Sequence, residues 1–317
     1  MKKALIIIAV IGLCFLISGG IVFTVVMSKN GWNFGVMNNA VLEAKTYSVE
    51  ASEINSVSIE TGTMRIRYVE ATDNKITVDY CNVFTKEGKV VSEFNIAVSS
   101  GILRVSEESK PAWFINYGDA EVVVKVPAGK EVPIDLQSGT GRIVLGETGK
   151  EIKAPSVTLN AGTGRIEVNA KVSCAGEFFA ETSTGRVVLK GDIVCGGDLT
   201  ARSDTGRVEC EGAIEAKNVT LRASTGRVVV SAPLKTNKLR INSSTGDVEC
   251  RSPIEANDIN VEVSTGDVYL TVKGVREQYS FSGSTSTGKS NLSSYDAGEK
   301  PIRVKTSTGD IEVYFKE

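Results

Sequence analysis

Five arginines that recur at nearly constant spacing are the residues of this sequence best suited to bind a ligand. Each follows a Thr-Gly pair. They are Arg142, Arg165, Arg186, Arg207 and Arg227. Because a guanidinium group forms paired hydrogen bonds with phosphate and carboxylate, a column of arginines would suit a teichoic acid, an acidic polysaccharide or anionic lipid headgroups. The alternative, which the pattern favours, is a solvated ladder that Glu167 and Glu209 partly neutralise.

Catalytic chemistry has little support in the sequence. The chain has no histidine, which excludes Ser-His-Asp and Cys-His catalysis and the HExxH zinc motif. Polysaccharide lyases and hydrolases on β-helices need clustered carboxylates, usually in long loops, and the repeats here lack long insertions. Asp247 and Asp267 would lie on adjacent repeats without any calcium-loop motif. We therefore expect no catalytic residue, no metal site and no cofactor.

Two cysteines occupy equivalent places in consecutive repeats. Cys174 and Cys195 each lie ten residues beyond their Thr-Gly glycine. Stacked neighbours about 4.8 Å apart fall within the Cα separation of a disulfide, so this pair is a possible disulfide. Cys210 and Cys250 are also equivalent, but Val230 lies on the repeat between them. At a separation of roughly 10 Å they are too far apart to bridge, and we expect them to be buried apolar residues.

The elements that position these residues are repeats of 20 to 23 residues, each centred on a Thr-Gly pair. The expected corner glycines are Gly141, Gly164, Gly185, Gly206, Gly226, Gly246, Gly266, Gly288 and Gly309. After each glycine a charged residue is followed by alternating apolar residues, as in Val208 and Cys210, which is the period of a strand with one buried side. A tight corner with positive φ would explain the glycine.

This period predicts an all-β fold, a β-solenoid or parallel β-helix of about 20-residue rungs, over residues 137–317. A single turn is too small to close a core, so stacked turns must bury one another's apolar side chains. Residues 45–136 are rich in strands but irregular, and we expect them to form the N-terminal cap and first turns.

The N-terminal segment suggests a membrane anchor. Residues 4–27 carry no charge and as a helix would be about 36 Å long, enough to cross a bilayer core of about 30 Å. A cleaved signal peptide is the alternative. We expect residues 1–3 to be a short cytoplasmic tail, residues 4–27 one transmembrane α-helix and residues 28–44 a linker. Two lysines before the span and one after it favour a cytoplasmic N-terminus and an extracytoplasmic C-terminal domain.

The last predicted strand, residues 311–315, ends close to the C-terminus without an evident cap. An open solenoid end is an exposed sheet edge that favours pairing with another chain. Tyr314 and Phe315 are therefore the expected contact residues for end-to-end self-association or for a capping partner.

The anchor, the irregular β start and the repeated [ST]-T-G-[RD]-[VI] motif over residues 45–317 resemble a bacterial family. It is a family of β-strand-repeat domains of unknown function whose members are regarded as candidate adhesins, and it is similar to adhesin-head domains. The resemblance implies an envelope protein that is adhesive or linked to envelope stress, and it implies no catalytic residues.

We therefore expect a single-pass membrane protein whose extracytoplasmic domain binds a cell-wall polymer, anionic lipid or envelope protein. The net charge of −2 gives no general affinity for nucleic acid. The alternatives are an accessory protein of envelope-stress signalling that binds another membrane protein and a polysaccharide-active enzyme.

Overall fold

The computed structural model describes residues 40–110 and 120–317, together with the isolated residues Val25, Ser28 and Gly118. The expected tail, all of the expected transmembrane helix except Val25, and most of the linker lie outside the described residues. Among the residues described, no helix is both long enough and apolar enough to cross a bilayer.

Within the described part of the chain, twenty-two strands form one continuous sheet, with short 3-10 turns at Ala51–Glu53 and Arg276–Gln278. The strands are β1 (Val41–Glu50), β2 (Ser56–Thr61), β3 (Arg65–Ala71), β4 (Lys75–Phe84), β5 (Val90–Ser99), β6 (Ile102–Ser109), β7 (Glu121–Pro127), β8 (Ile134–Ser138), β9 (Arg142–Leu145), β10 (Glu151–Ala154), β11 (Val157–Val168), β12 (Lys171–Cys174), β13 (Phe178–Leu189), β14 (Ile193–Cys210), β15 (Ile214–Thr225), β16 (Val228–Val230), β17 (Leu234–Thr245), β18 (Val248–Thr265), β19 (Val268–Lys273), β20 (Tyr279–Thr287), β21 (Lys300–Thr308) and β22 (Ile311–Lys316).

A typical rung has three faces, and the β-solenoid predicted from the sequence is confirmed. In one rung, residues 157–161 form the first face, residues 165–168 form the second face beyond the corner glycine, and residues 171–174 form the third face. The strands of successive rungs pair in parallel and in register on all three faces. Inward side chains such as Leu159 and Val172 are fully buried, so the apolar alternation of the sequence forms one continuous core.

Two structural features explain why glycine occupies the corner position. Gly206 has φ of 143°, a conformation that residues with a Cβ atom adopt at a cost. A Cβ atom on Gly206 would also overlap the carbonyl oxygen of Gly185 in the neighbouring rung. The inward Ser203 hydroxyl donates a hydrogen bond of 3.0 Å to the same oxygen. Gly141 differs from the other eight corner glycines because its φ lies outside the positive range.

The N-terminal end is closed by antiparallel strands. β4 pairs antiparallel with β1, β5 and β7. The β2–β3 rung is stacked between the β6–β7 rung and the β8–β9 rung. The order of these three rungs in space therefore differs from their order in the sequence.

The C-terminal end is covered, which corrects the expectation of an uncapped last strand. β21 lies between β18 and β20, so β20 is the outermost strand of the first face although it comes earlier in sequence. On the second face, Asn291 covers the edge of β22. Its side-chain amide donates to the Val313 carbonyl oxygen at 3.0 Å, and its side-chain oxygen accepts from the Val313 amide at 2.9 Å.

Candidate binding surface

The structure places the five predicted arginines in one column on the second face. Arg142, Arg165, Arg186 and Arg207 are paired in register on four successive strands. Arg227 comes directly before β16, whose first residue Val228 pairs with Val208. Their side chains point outward, because the residue that follows each arginine is buried in the core.

The start of the column is neutralised within the chain. Glu167 lies two residues beyond Arg165, and its side chain is only 3% exposed. It forms ion pairs with Arg142, with Arg165 at 2.8 Å and with Lys190 at 3.8 Å. A buried carboxylate needs such partners, because an unpaired charge with low solvent access is strongly destabilising. The ladder with internal pairing is therefore what the structure shows at this end.

The middle of the column is less neutralised. Arg207 forms only a long ion pair of 3.6 Å with Glu209. Arg186 is exposed and has no carboxylate within 4.0 Å among the described residues. The neighbouring Val188 faces outward yet is fully buried, as expected where long charged side chains cover apolar surface with their methylene groups. Arg186 is thus the guanidinium group most available to a ligand.

The column changes sign between Arg227 and Asp247. Arg227 forms ion pairs with Asp247 at 3.1 Å and with Glu249 at 3.9 Å. From there the column consists of aspartates, each accepting a backbone hydrogen bond from the next rung. Asp247 accepts from the Asp267 amide at 3.1 Å, and Asp267 accepts from the Asp310 amide at 2.8 Å.

The aspartates form a continuous column in the structure, although their order in the sequence does not indicate it. Lys289 separates Asp267 from Asp310 in the sequence, whereas in space Asp310 stacks directly on Asp267 because β22 pairs with β19. Lys289 lies beyond them and donates its backbone amide to Asp310 at 2.7 Å. We call Asp247, Glu249, Asp267, Asp310 and Glu312 the acidic half of the second face, and the five arginines with Glu167 and Glu209 the basic half.

The acidic half lines a shallow groove of about 420 Å³ together with Tyr269 and with Arg251, which forms an ion pair of 3.0 Å with Glu249. The rings of Tyr269 and Tyr314 lie 5.3 Å apart, and Tyr314 is 47% exposed. Phe315, the other predicted contact residue, is instead half-buried and packs against Tyr279 and Phe281. Of the two aromatic residues proposed for the C-terminal edge, only Tyr314 presents its ring to solvent.

The third face has charges that alternate along the stack and pair within the chain. The pairs are Glu151–Lys171 at 3.0 Å, Glu215–Lys235 at 2.7 Å and Glu255–Lys273 at 2.7 Å. This face therefore has no excess of one sign over several consecutive rungs, in contrast to the second face.

The cysteines lie where the repeats predicted, and all five in the described residues are free thiols. Cys174 and Cys195 are in register on adjacent strands, but the possible disulfide between them is not formed. Interaction with the neighbouring Cys195 thiol raises the pKa of Cys174, and interaction with the Cys174 thiol lowers the pKa of Cys195. Burial raises the pKa of Cys210 to about 12, which fits its expected role as a small apolar core residue.

The family comparison agrees with the motif. The Toastrack DUF4097 family model matches residues 54–314, so the family resemblance of the repeated corner motif is confirmed. No curated protein sequence matches the chain.

Several solved structures are similar at low identity. A candidate adhesin from Parabacteroides merdae is 11% identical with a TM-score of 0.49, and the match covers 88% of this chain and 98% of that chain. A candidate adhesin from Bacteroides fragilis is 15% identical with a TM-score of 0.43, covering 86% and 97%. A candidate lipid binding protein from Parabacteroides distasonis is 12% identical with a TM-score of 0.36, covering 87% and 97%.

Proposed function

We propose that this chain, which belongs to the Toastrack DUF4097 family, is an adhesin-like binding module of the cell envelope that contacts an anionic polymer or lipid through the basic half of its second face. Residues 4–27 would anchor it in the cell membrane as a single-pass helix with the N-terminus cytoplasmic and the solenoid outside. The module acts by binding and performs no reaction.

The observation that carries this proposal is the incomplete neutralisation of the arginine column. Five arginines share the basic half with two glutamates, which leaves an excess of three positive charges over five rungs. Arg186, at the centre, has no carboxylate within 4.0 Å among the described residues. Guanidinium groups spaced by about 4.8 Å along a rigid stack suit the repeating phosphates or carboxylates of a linear polymer.

A binding role also agrees with the distribution of side chains that could act in catalysis. The chain contains no histidine, and among residues 40–110 and 120–317 no group of three or more Asp, Glu or Cys side chains is placed to hold a metal ion. The carboxylates of the basic half are engaged by arginines. We therefore place the polysaccharide-active alternative behind a binding module.

The test measures binding of the full-length protein in a neutral detergent to immobilised lipoteichoic acid and to phosphatidylglycerol vesicles. It compares about 0.05 M with about 1 M NaCl, where the Debye length is above ~10 Å and about 3 Å respectively. The variant Arg186→Ser with Arg207→Ser should lose the salt-sensitive binding. Arg222→Ser with Arg240→Ser is the matched control, because it removes the same charge from two exposed arginines outside the second face.

The variant Glu209→Gln tests the same proposal through an expected increase in binding to the anionic probes. It frees Arg207 from its one carboxylate partner and should strengthen retention on both anionic probes. Equal binding by both double variants would refute the proposal. Binding that resists salt would favour the second candidate, an accessory protein of envelope-stress signalling that contacts another membrane protein.

A further inference from the structure

Over the six rungs from Arg186 to Asp310, the order of charges on the second face is such that reversing it places each arginine opposite an aspartate. The boundary falls between Arg227 and Asp247, with arginines on one side and the aspartates of the acidic half on the other. The aspartates lie at the same lateral position as the arginines, directly after each corner glycine. A surface of this kind can pair with a second copy of itself through a two-fold axis, the usual symmetry of homodimers.

We propose that a second copy of this chain docks antiparallel on the second face. A two-fold axis parallel to the strands reverses the order of the rungs but leaves each residue at its lateral position. With the axis at the boundary, Arg227 faces Asp247 of the second copy. One rung further out Arg207 faces Asp267, and beyond that Arg186 faces Asp310. Each contact occurs twice, so the pair forms six arginine–aspartate contacts.

The side chains beside the column fit the same arrangement. Lys190 lies four residues beyond Arg186, and Tyr314 lies four residues beyond Asp310. The two-fold axis therefore brings the ammonium group of Lys190 to the exposed ring of Tyr314 in the second copy, a cation–π contact. It likewise brings Glu209 to Tyr269, whose hydroxyl group can donate to the carboxylate.

The intrachain contacts leave charges available for this docking. Arg186 lacks a carboxylate partner among the described residues. Asp267 and Asp310 each accept a backbone amide through one oxygen, Oδ1, and have no arginine or lysine within 4.0 Å in the described part of the chain. The third face, whose charges are already paired rung by rung, lacks this surplus.

The size of the surface sets the expected strength. Six rungs span roughly 29 Å at about 4.8 Å per rung, and five strand residues span roughly 16 Å. The docked faces would bury on the order of 900 Å² in total, below the ~1,200 Å² of stable complexes. We therefore expect a weak, reversible and salt-sensitive dimer. The N-terminal ends of the two solenoids lie at opposite ends of the dimer, an arrangement that would suit chains anchored in two facing membranes.

The test uses two differently tagged copies of the full-length protein in a neutral detergent. One copy is captured through its tag and the amount of the other is measured at about 0.05 M and about 1 M NaCl. The wild-type chain should capture itself at low salt and lose most of that capture at high salt. In the docked pair Glu312 faces Val188 of the second copy, two residues from Arg186 on the same strand, so its carboxylate approaches the same guanidinium group as Asp310. Arg186→Glu and Glu312→Arg, tested separately, should each reduce self-capture by about five- to thirty-fold, since each reverses a charge in two symmetric contacts.

The decisive mixture combines one copy carrying Arg186→Glu with one carrying Glu312→Arg. The charges at their shared contact are then exchanged, and capture should return to the wild-type level. Arg222→Glu is the control for charge reversal on the first face and should leave self-capture unchanged. No wild-type capture at low salt, or no recovery in the mixture, would overturn the proposal.

This outcome is separable from that of the anion-binding test. Glu312→Arg alters no residue of the basic half, so it should weaken self-capture while leaving retention on lipoteichoic acid intact or stronger. An anionic polymer bound at Arg186 and Arg207 would displace the second copy, so added polymer should also reduce self-capture.

Discussion

The solenoid corner favours glycine for two reasons, the positive φ and the close approach of the neighbouring rung. Alanine substitutions at three glycines can measure the cost of each separately. Gly149 has φ of 81°, and a Cβ atom there would meet no heavy atom within 4 Å. Gly162 lacks a positive φ, but its Cβ atom would lie 2.6 Å from the Gly139 carbonyl oxygen. Gly206 combines φ of 143° with a still closer approach to the Gly185 carbonyl oxygen. Substitution by alanine therefore probes backbone strain, close approach and their combination.

The expected losses of stability follow from these geometries. Gly149→Ala should cost about 1 kcal/mol, the strain of a left-handed backbone conformation. Gly162→Ala should cost about 1–3 kcal/mol, because the neighbouring rung must move to relieve the overlap. Gly206→Ala should cost at least about 3–5 kcal/mol, since strain of about 1–3 kcal/mol adds to a larger overlap.

The assay is urea unfolding of residues 40–317, followed by far-UV circular dichroism, with the slope of the transition compared between variants. An unchanged slope assigns the shift of the midpoint to stability. If Gly206→Ala falls within about 1 kcal/mol of Gly149→Ala, the stacked carbonyl is not limiting and the argument from close approach is refuted.

Two further predictions concern the ends of the solenoid. Burial raises the pKa of Glu107, but hydrogen bonds from Ser109, Ser92 and the backbone amides of Thr63 and Gly62 more than offset it, so the pKa lies below its ordinary value. Its contribution to stability is therefore present at neutral pH and is lost as the pH falls below about 4.5. Glu107→Gln should cost about 1–3 kcal/mol at pH 7 and flatten that pH dependence, and urea midpoints that change equally with pH in both proteins would contradict this. Asn291→Ala removes both hydrogen bonds to Val313 and should cost about 1–2 kcal/mol, with faster hydrogen exchange at Val313. Unchanged exchange there would show that Asn291 does not protect this edge.

The repeated part of the fold could be predicted from the sequence because each repeat carries its own corner glycine and its own alternation of apolar residues. The alternation after Gly206 fixes which side chains face the core, and the common spacing fixes which residues stack. The arginine column followed from the same reasoning, since Arg165 and Arg186 occupy equivalent places in consecutive repeats.

The ends of the solenoid escaped prediction because strand order there departs from sequence order. Nothing in the spacing of Gly266, Gly288 and Gly309 indicates that the rung of Gly309 lies between the other two. The continuous acidic half and the packing of Phe315 follow from this exchange, so both were missed. The burial of Glu167 was also missed, since it depends on how three neighbouring cations fold over it.

The exchanged rungs have a consequence for how the chain acquires its fold during synthesis. Residues 300–316 leave the ribosome after residues 279–287, yet they lie between those residues and the rest of the stack. β20 pairs with β21 and has no other strand partner in the described chain, so it stays without its sheet until the later segment arrives. Growth of the solenoid by simple addition of rungs therefore stops at β19, and the outermost rungs form only when residues 300–316 insert between β18 and β20.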